Sequence, residues 1–514
     1  MQNYKKFTMF LLAGCMLFST TACGGGNSAL IDEIESVDKE KTQLYVGVYD
    51  GAIGYEWLNE YKKMYEAENP NVQIIIDPKK ADYDAVLSTK MPSNRQDIYF
   101  LSHNSYNEFV TAGVLEEITD TITEKIYDAD MNMAASGAGV KSILDSMDKN
   151  FDPVYNVNGH YYAIPNFYSP AGIYYDVDVF EDNGYEVPTT YNELIALMDR
   201  MVVDNYIPFT FSNMLYIVCN SLTGVWASYE GANNFNLNNT FVGTDSVLGN
   251  ITSETGYLLQ KQQGKKAALQ FAYDLMSKNA YTTSKARAGL GHESAQQEFV
   301  GSIKTENDGG KRICMFLESS YWEPEVKEYM KSLGTLNSEW GYGQRNFKFM
   351  PFPAFDNVAG IANQTNDKTT LYGANARSMV CINKASDQKD LAKDFLQFVQ
   401  QRKCLALFTQ YSSSFRPYEY EATPEEIAQY TTMGQDLYNI VKDSNTEIMY
   451  HIDACRIKQL QNTEWFHDWS FMTSCSVTSN NPITAFYTNT SLTVDEYFNG
   501  LGSYWSQSRW GNLL

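Results

Sequence analysis

QLYVGVYDGAIGYEWLNEYKKMYEAENPNVQIII, residues 43–76, is the stretch of this 514-residue chain whose pattern decides the fold. The apolar run at 43–49 predicts a buried strand, and the aromatic residues of 55–68 recur at the spacing of a helix. Asn69-Pro70 ends that helix, and 72–76 predicts a second strand. A strand, a helix and a strand in this order predict a mostly parallel sheet with helices on its faces, an α/β fold.

The same kind of pattern continues along the chain. Residues 97–101 predict a third strand, and Tyr106 to Ala112 predict a helix that Gly113 closes. Thr190 and Glu193 form a capping box, which predicts a helix that runs to about Val203. Further predictions are extended chain at 161–175, a loop-heavy Asn-rich insertion at 230–262, strands at 313–317 and 379–382, and helices at 265–277 and 389–401.

The acidic net charge of the chain argues against nucleic acids and anionic lipid surfaces as partners. The chain has 39 Lys and Arg against 62 Asp and Glu, a formal net charge of -23. Nucleic-acid binding draws on clustered Lys and Arg, so we expect no nucleic-acid partner. The acidity also argues against docking on anionic lipid headgroups. A solvated acidic surface is typical of a soluble secreted protein.

The N-terminus predicts secretion. Lys5 and Lys6 precede an apolar run at 7–18, which is too short for a membrane-spanning helix and suits a signal peptide. Small residues then lead to Cys23, as in a bacterial lipobox. We therefore expect residues 1–22 to be a signal peptide, Cys23 to carry lipid, and 23–40 to be a tether. Cys15, after Leu12-Ala13-Gly14, is the alternative lipidation site.

The remaining cysteines give no metal or redox signal. None of the eight Cys shows CxxC spacing, and we predict no metal and no cofactor. Cys314 and Cys381 lie in apolar strand-like runs, where a free thiol packs as a small hydrophobe. A disulfide between two of the six cysteines after Cys23 stays an alternative for a protein outside the cytoplasm.

Beyond these local signals, the sequence resembles the family 1 extracellular solute-binding proteins, the maltose-binding-protein-like group. The resemblance implies a type II periplasmic-binding-protein-like fold: two lobes joined by hinge strands, with a central cleft that closes on ligand. It implies lobe one at 40–164 plus 378–412 and lobe two at 165–377 plus 413–514. The blocks that carry the resemblance, in the family's order, lie at 44–68, 97–118, 157–194, 315–322, 350–353 and 392–417.

Candidate ligand-binding residues lie in the loops that follow predicted strands, where α/β sheets bind ligands. These loops offer rings, carboxylates and amides, the mixture that suits the C–H faces and hydroxyls of a sugar. The resemblance implies a stacking platform at Tyr321-Trp322. Trp57 is predicted to be core, whereas Trp226, Trp465 and Trp469 fit either core or cleft. The candidates are Tyr49, Asp50, His103, Asn104, Asn166, Tyr168, Asn213, Glu318, Tyr321 and Trp322.

Together with the N-terminal signal, the resemblance implies a monomeric lipoprotein on the outer face of the cell membrane, which delivers an oligosaccharide to the permease of an ABC importer. A lipid-anchored glycoside hydrolase is the first rival interpretation, and it requires two suitably spaced carboxylates. No GxSxG or HExxH motif is present, and we predict no catalytic residues. A second rival is a binding protein for a non-sugar solute, and a third is a surface adhesin.

Overall fold

A computed structural model describes residues 37–512 except for 52, 80–86, 103–105, 244, 245, 247 and 451–473. Within those ranges we find no helix with the length and apolar character that a bilayer crossing requires. The predictions for the signal peptide and for Cys15, Cys23, His103, Asn104, Trp465 and Trp469 lie outside the described residues.

The strands of the described chain form two sheets. In chain order they are β1 (Thr42–Tyr49), β2 (Val72–Lys79), β3 (Ile98–Leu101), β4 (Ala163–Pro165), β5 (Ser169–Asp176), β6 (Ile207–Phe211), β7 (Ile313–Ser319), β8 (Phe347–Met350), β9 (Thr369–Ala374), β10 (Met379–Ile382) and β11 (Thr446–Tyr450).

Helices cover both sheets. They are α1 (Glu56–Glu68), α2 (Leu87–Lys90), α3 (Tyr106–Ala112), α4 (Thr119–Thr123), α5 (Ile143–Ser146), α6 (Asp152–Tyr155), α7 (Val177–Asn183), α8 (Tyr191–Val203), α9 (Leu215–Thr240), α10 (Gln263–Ser277), α11 (Ser284–Ala288), α12 (His292–Asn307), α13 (Trp322–Glu325), α14 (Lys327–Gly334), α15 (Lys389–Phe398), α16 (Arg402–Ser412), α17 (Pro424–Ile427), α18 (Thr432–Lys442), α19 (Pro482–Thr488), α20 (Val494–Tyr504) and α21 (Gln507–Gly511).

The first sheet has the strand order β2-β1-β3-β10-β4. β1 runs parallel to β2 and β3, while β10 is antiparallel to β3 and β4. Residues 43–76 therefore form the predicted strand, helix and strand, β1, α1 and β2. Trp57 of α1 is fully buried, with its ring edge-on to Tyr61 and Phe100, which confirms its prediction as core.

The second sheet has the order β11-β9-β5-β7-β6, and β8 also pairs with β5. β5 is antiparallel to β7, β8 and β9, whereas β6 is parallel to β7 and β11 is parallel to β9. All residues of β5 and β7 are buried, because helices cover both faces of these central strands. The predicted α/β class is confirmed.

Three backbone segments connect the two sheets. The chain from β4 to β5 runs antiparallel to the chain from β9 to β10, with Pro165 opposite Met379 and Ser169 opposite Ala374. Between these pairs, Ser378 Oγ donates a hydrogen bond of 2.7 Å to the carbonyl of Phe167. The third segment pairs at Phe415, whose N–H donates to the carbonyl of Tyr168 at 2.9 Å. The lobe boundaries given above stay a prediction.

Several local predictions are confirmed. The capping box forms, because Thr190 Oγ1 accepts from the N–H of Glu193 while the Glu193 carboxylate accepts from the N–H of Thr190. α3 has the predicted bounds, and Gly113 follows it with a φ of 67°. Cys314 and Cys381 are free and buried. Trp226 is fully buried against Phe235, so the core alternative holds for it.

The predicted loop at 230–262 is wrong for 230–240, where α9 continues to Thr240, whereas the described residues of 241–255 lie outside helices and strands as predicted. Two amides of this helical segment donate to distant groups. Asn238 Nδ2 donates to Gln262 Oε1 at 2.9 Å, and Asn239 Nδ2 donates to the carbonyl of Tyr450 at 2.8 Å. Side chains that favour loops when solvated are therefore held in a helix by buried hydrogen bonds. The helix bends at Gly231, where φ is 68° and ψ is 178°.

A buried charge cluster lies at the end of β5. Asp176 Oδ2 accepts a hydrogen bond of 2.7 Å from Arg312 Nη2 and another from Arg345 Nη2. Asp176 is 0% exposed, Arg312 7% and Arg345 3%. Asp176 thus compensates the buried guanidinium of Arg345, and it shares the compensation of Arg312 with Glu306, whose Oε2 lies 3.4 Å from Arg312 Nη1.

We expect Asp176→Asn to lower the free energy of unfolding by about 3–5 kcal/mol, because the buried Arg345 loses its carboxylate partner and Arg312 keeps the more distant Glu306 and Asp178. Urea denaturation followed by tryptophan fluorescence measures the loss. Asp178→Asn is the matched control: its carboxylate is 38% exposed and lies 3.9 Å from Arg312. It should cost no more than about 1 kcal/mol. Equal losses in the two variants would contradict this account of the cluster.

Candidate functional site

A cavity of about 650 Å³, called the cleft below, lies where the two sheets meet. Its walls come from the loops after β1, β3 and β7, from the segments that connect the sheets, and from the starts of α12, α13 and α14. The position agrees with the rule that α/β sheets bind ligands beyond the carboxyl ends of strands. The lining residues include Tyr49, Asp50, Glu56, Ser102, Phe167, His292, Glu293, Tyr321, Pro324, Glu325, Lys327, Asn375 and Tyr411.

The loop after β1 brings Tyr49 and Asp50 into the wall of the cleft. The N–H of Asp50 donates to the carbonyl of Lys79 at 2.8 Å, and the N–H of Gly54 donates to the carbonyl of Gly51 at 2.7 Å. A Cβ atom at Gly51 would overlap the Tyr49 ring, so this close approach requires glycine. The loop geometry therefore fixes a ring and a carboxylate side by side.

The loop after β7 contributes Tyr321, with Glu318 beneath it. Glu318 Oε1 accepts from the N–H of Ser319 at 2.9 Å and from Tyr321 Oη at 3.4 Å. Glu318 is only 1% exposed and does not line the cleft. Burial raises the pKa of its carboxyl well above the usual range, which favours the neutral form. Glu318 thus supports the cleft floor through Tyr321.

The structure places Trp322 in the core instead of on a stacking platform beside Tyr321. The residue is 0% exposed, and its ring packs edge-on against Tyr174, Phe316 and Phe347 at centroid distances of 5.1–5.9 Å. Trp322 begins α13, and the turn into that helix directs its ring into the core while Tyr321 reaches the cleft. We therefore do not assign Trp322 to the site.

Three further candidates also lie off the cleft, and two of them flank Phe167. Asn166 is buried, and its Nδ2 donates to the carbonyl of Leu101 at 3.4 Å. Tyr168 packs against Phe415 and Tyr450, with centroid distances of 5.8 and 5.2 Å. Between these two, Phe167 does line the cleft.

Asn213 makes its side-chain hydrogen bond to Thr484 of α19, at 3.4 Å, and is absent from the cleft wall. His103 and Asn104 lie outside the described residues, but Ser102 just before them lines the cleft. The candidates that the structure brings together are therefore Tyr49, Asp50 and Tyr321.

No sequence pattern predicted the charged pair of Glu325 and His292, which reaches the cleft from α13 and from the start of α12. Glu325 links two helices: its Oε1 lies 3.7 Å from His292 Nε2, and its Oε2 accepts from Gln296 Nε2 at 2.6 Å. Hydrogen bonding to Glu325 raises the pKa of His292 above 6.5. The Glu323-Pro324-Glu325 run soon after a strand end was the available signal, whereas His292 had none.

The cleft is rich in carboxylates. The side-chain carboxylates of Asp50, Glu56 and Glu293 form no hydrogen bond or ion pair with any described residue. Lys327 Nζ lies 5.4 Å from the centroid of the Tyr342 ring. No group of three metal-ligating side chains occurs in the part of the chain that the structure describes. Rings beside carboxylates can stack on a ligand and accept its hydrogen bonds.

Comparison with known sequences identifies related proteins. Residues 50–403 match the sequence model of the family described as bacterial extracellular solute-binding protein. An uncharacterized ABC transporter extracellular-binding protein of Pyrococcus horikoshii is 26% identical over 38% of this chain and 44% of its own length. The multiple sugar-binding protein of Streptococcus mutans is 23% identical over 48% of this chain and 55% of its own. The chain thus spans about half the length of these relatives.

Solved structures share the fold. The apo form of RafE from Streptococcus pneumoniae superposes with a TM-score of 0.57 at 14% identity, covering 92% of this chain and 100% of that one. The maltotriose binding protein of Thermus thermophilus, bound with maltotriose, gives 0.54 at 16% identity over 90% and 98%. These likenesses confirm the predicted periplasmic-binding-protein-like fold.

We expect the pKa of His292, followed by NMR of its ring protons, to lie above 6.5, because Glu325 stabilises the protonated ring. The pair should therefore stabilise the fold fully below the unfolded pKa of about 6.5, and this contribution should vanish as pH rises through the raised pKa. Glu325→Gln should lower the His292 pKa, and Glu293→Gln, a weaker influence on the same helix, should lower it less. An unchanged pKa in Glu325→Gln would refute the assignment.

Trp322→Ala should lower the free energy of unfolding by about 3–5 kcal/mol, since it removes a fully buried indole from an aromatic cluster. Chemical denaturation measures this loss. Trp340→Ala serves as the control, because Trp340 is only partly buried and should cost less. A loss at Trp322 no larger than that at Trp340 would show that the ring does not support the core.

Proposed function

Since this chain belongs to the bacterial extracellular solute-binding protein family, we propose that it captures a carbohydrate in the cleft and delivers it to the permease of an ABC importer. The observation that carries the proposal is the cleft itself. Both sheets contribute walls to it, so a bound ligand would contact both halves of the protein. A ligand with such contacts favours closure of the halves around it.

The chemistry of the cleft supports a sugar. Tyr49 and Tyr411 bring partly buried rings to the cleft wall, where they could contact the C–H surfaces of a pyranose, and the rings of Phe167 and Tyr321, 1% and 3% exposed, add apolar wall. The carboxylates and Asn375 offer acceptors and donors for its hydroxyls. The volume of about 650 Å³ lies in the range of roughly 300–1,000 Å³ that small-molecule sites occupy, and it suits a short oligosaccharide.

The names of related proteins support the same ligand class. The Streptococcus mutans relative is named a multiple sugar-binding protein, and the Thermus structure contains maltotriose. Because its family is one of solute-binding proteins, we propose that the chain binds its ligand without catalysing a reaction on it. This proposal excludes the rival interpretations of the chain as a glycoside hydrolase and as a surface adhesin.

We also propose that a lipid anchor at Cys23 holds the protein on the outer face of the membrane, and that the protein is a monomer. The small residues before Cys23 and the Gly24–Gly26 run after it support this attachment. A flexible tether of this kind would let the cleft reach a permease in the same membrane.

The test is a thermal-shift screen of the soluble chain against raffinose, maltotriose and further short oligosaccharides. A ligand at 100 times its Kd stabilises the folded state by about 2.7 kcal/mol, so a true ligand should raise Tm measurably. Asp50→Asn and Tyr321→Ala should each weaken binding by about tenfold or more, through a lost acceptor and a lost ring.

Asp130→Asn is the matched control for Asp50→Asn, because Asp130 is exposed and is not a residue of the cleft wall. It should bind as the wild type does. Failure of every oligosaccharide to raise Tm would reject the sugar proposal. Wild-type affinity in both Asp50→Asn and Tyr321→Ala would reject the cleft as its site.

A further inference from the structure

The charge of the cleft is unbalanced. Four carboxylates line it, those of Asp50, Glu56, Glu293 and Glu325, against the two basic side chains of His292 and Lys327. Carboxylates therefore outnumber basic groups by two in the described wall, even when His292 is protonated. A cavity with such an excess concentrates cations over neutral molecules, because its low-dielectric walls focus the field.

Three of these carboxylates have no side-chain partner in the described structure. Glu325 binds His292 and Gln296, but the carboxylates of Asp50, Glu56 and Glu293 form no hydrogen bond or ion pair with a described residue. A carboxylate enclosed by a closing cleft loses water, and the loss is unfavourable unless a cation or several donors replace it. These three groups are thus available for a positively charged ligand.

A fifth carboxyl group, that of Glu318, lies beneath Tyr321 of the cleft wall. Glu318 is 1% exposed, and its Oε2 has no hydrogen-bond partner among the described residues. Its Oε1 accepts the hydroxyl of Tyr321, which lines the cleft, at 3.4 Å. A buried acceptor without a donor is unfavourable, and a positive group brought above Tyr321 would favour the ionised form of Glu318.

The rings of the cleft accept a cation as readily as they accept a sugar. An ammonium group over the face of Tyr or Phe is attracted by the ring quadrupole. Tyr49, Phe167, Tyr321 and Tyr411 line the same cavity as the carboxylates of Asp50, Glu56 and Glu293. A molecule that combines a pyranose face with an ammonium group would use both features at once.

From this combination we propose that the preferred ligand of the cleft is an amino sugar oligomer, a carbohydrate with protonated primary amines. The inference rests on the proposed function and specifies its ligand class. A neutral oligosaccharide would satisfy hydroxyl acceptors but would leave the negative excess of the closed cleft uncompensated. The amine supplies the missing charge and three N–H donors to carboxylate acceptors.

The decisive comparison is between a glucosamine trimer and the N-acetylglucosamine trimer of the same linkage, measured by isothermal titration calorimetry. The rings are the same, but the acetyl group removes the charge. We expect the glucosamine trimer to bind at least about tenfold more tightly at low salt, a difference of about 1.4 kcal/mol. The preference should shrink at about 1 M NaCl, where screening acts over about 3 Å.

Variants that remove a charge test whether the preference for the glucosamine trimer arises in the cleft. Glu293→Gln and Asp50→Asn keep side-chain size but remove charge, so each should reduce the ratio of the two affinities. Glu181→Gln is the matched control, because Glu181 is an exposed residue of α7 outside the cleft wall. It should leave the ratio unchanged. An equal reduction in all three variants would overturn the assignment, because it would show a general effect of net charge.

The outcomes separate this inference from the proposed function. Equal or tighter binding of the acetylated trimer overturns the amino sugar preference and leaves carbohydrate binding intact. Failure of the glucosamine trimer to bind also overturns the preference, while raffinose and maltotriose still test the wider proposal. If spermidine binds tightly and no saccharide does, both proposals fail, because the cleft would then recognise an amine without a sugar.

Discussion

The antiparallel pairing between residues 163–176 and 369–382 is the constraint on which the rest of the structure depends. These two segments belong to both sheets, since β4 and β10 pair in the first and β5 and β9 in the second. Their register therefore fixes how one sheet is placed against the other. Phe167 and Asn375, which line the cleft, lie in the short gap between the two paired regions. The segments that connect the two sheets therefore also contribute residues to the wall of the cleft.

The third connection is supported by a different interaction. Arg416 follows Phe415 and is 1% exposed, with its guanidinium 5.2 Å from the centroid of Trp57 and 4.9 Å from that of Phe408. Its nitrogens have no hydrogen-bond partner within the described chain. Ring faces thus replace the usual anion for this buried charge. Trp57 also donates from Nε1 to the carbonyl of Gly54, so the aromatic cluster around Arg416 extends to the loop that presents Asp50.

Sequence patterns correctly predicted the elements whose conformation depends on residues close together in the chain. The first strand, helix and strand, the capping box at Thr190 and the helix before Gly113 depend on spacing and on nearby side chains. Tyr49, Asp50 and Tyr321 line the cleft because strand-end loops meet there in this class of fold. The ring of Trp322 and the helical state of the Asn-rich segment depend on partners distant in sequence, such as Phe347 and Tyr450. His292 and Lys327 reach the cleft from helix starts, where no strand-end rule applies.

The bend at Gly231 has a consequence for how this chain can diverge. Its φ of 68° with ψ of 178° is a conformation that only glycine adopts readily, and an added Cβ would lie 3.0 Å from the side chain of Asn366. That amide donates to the carbonyl of Ser228 at 2.9 Å and to Thr370 Oγ1, in β9, at 2.8 Å. A replacement at 231 would therefore disturb both α9 and a strand of the second sheet. Evolution can therefore change exposed positions of α9, such as Asn233 and Thr240, while the glycine codon at 231 stays fixed.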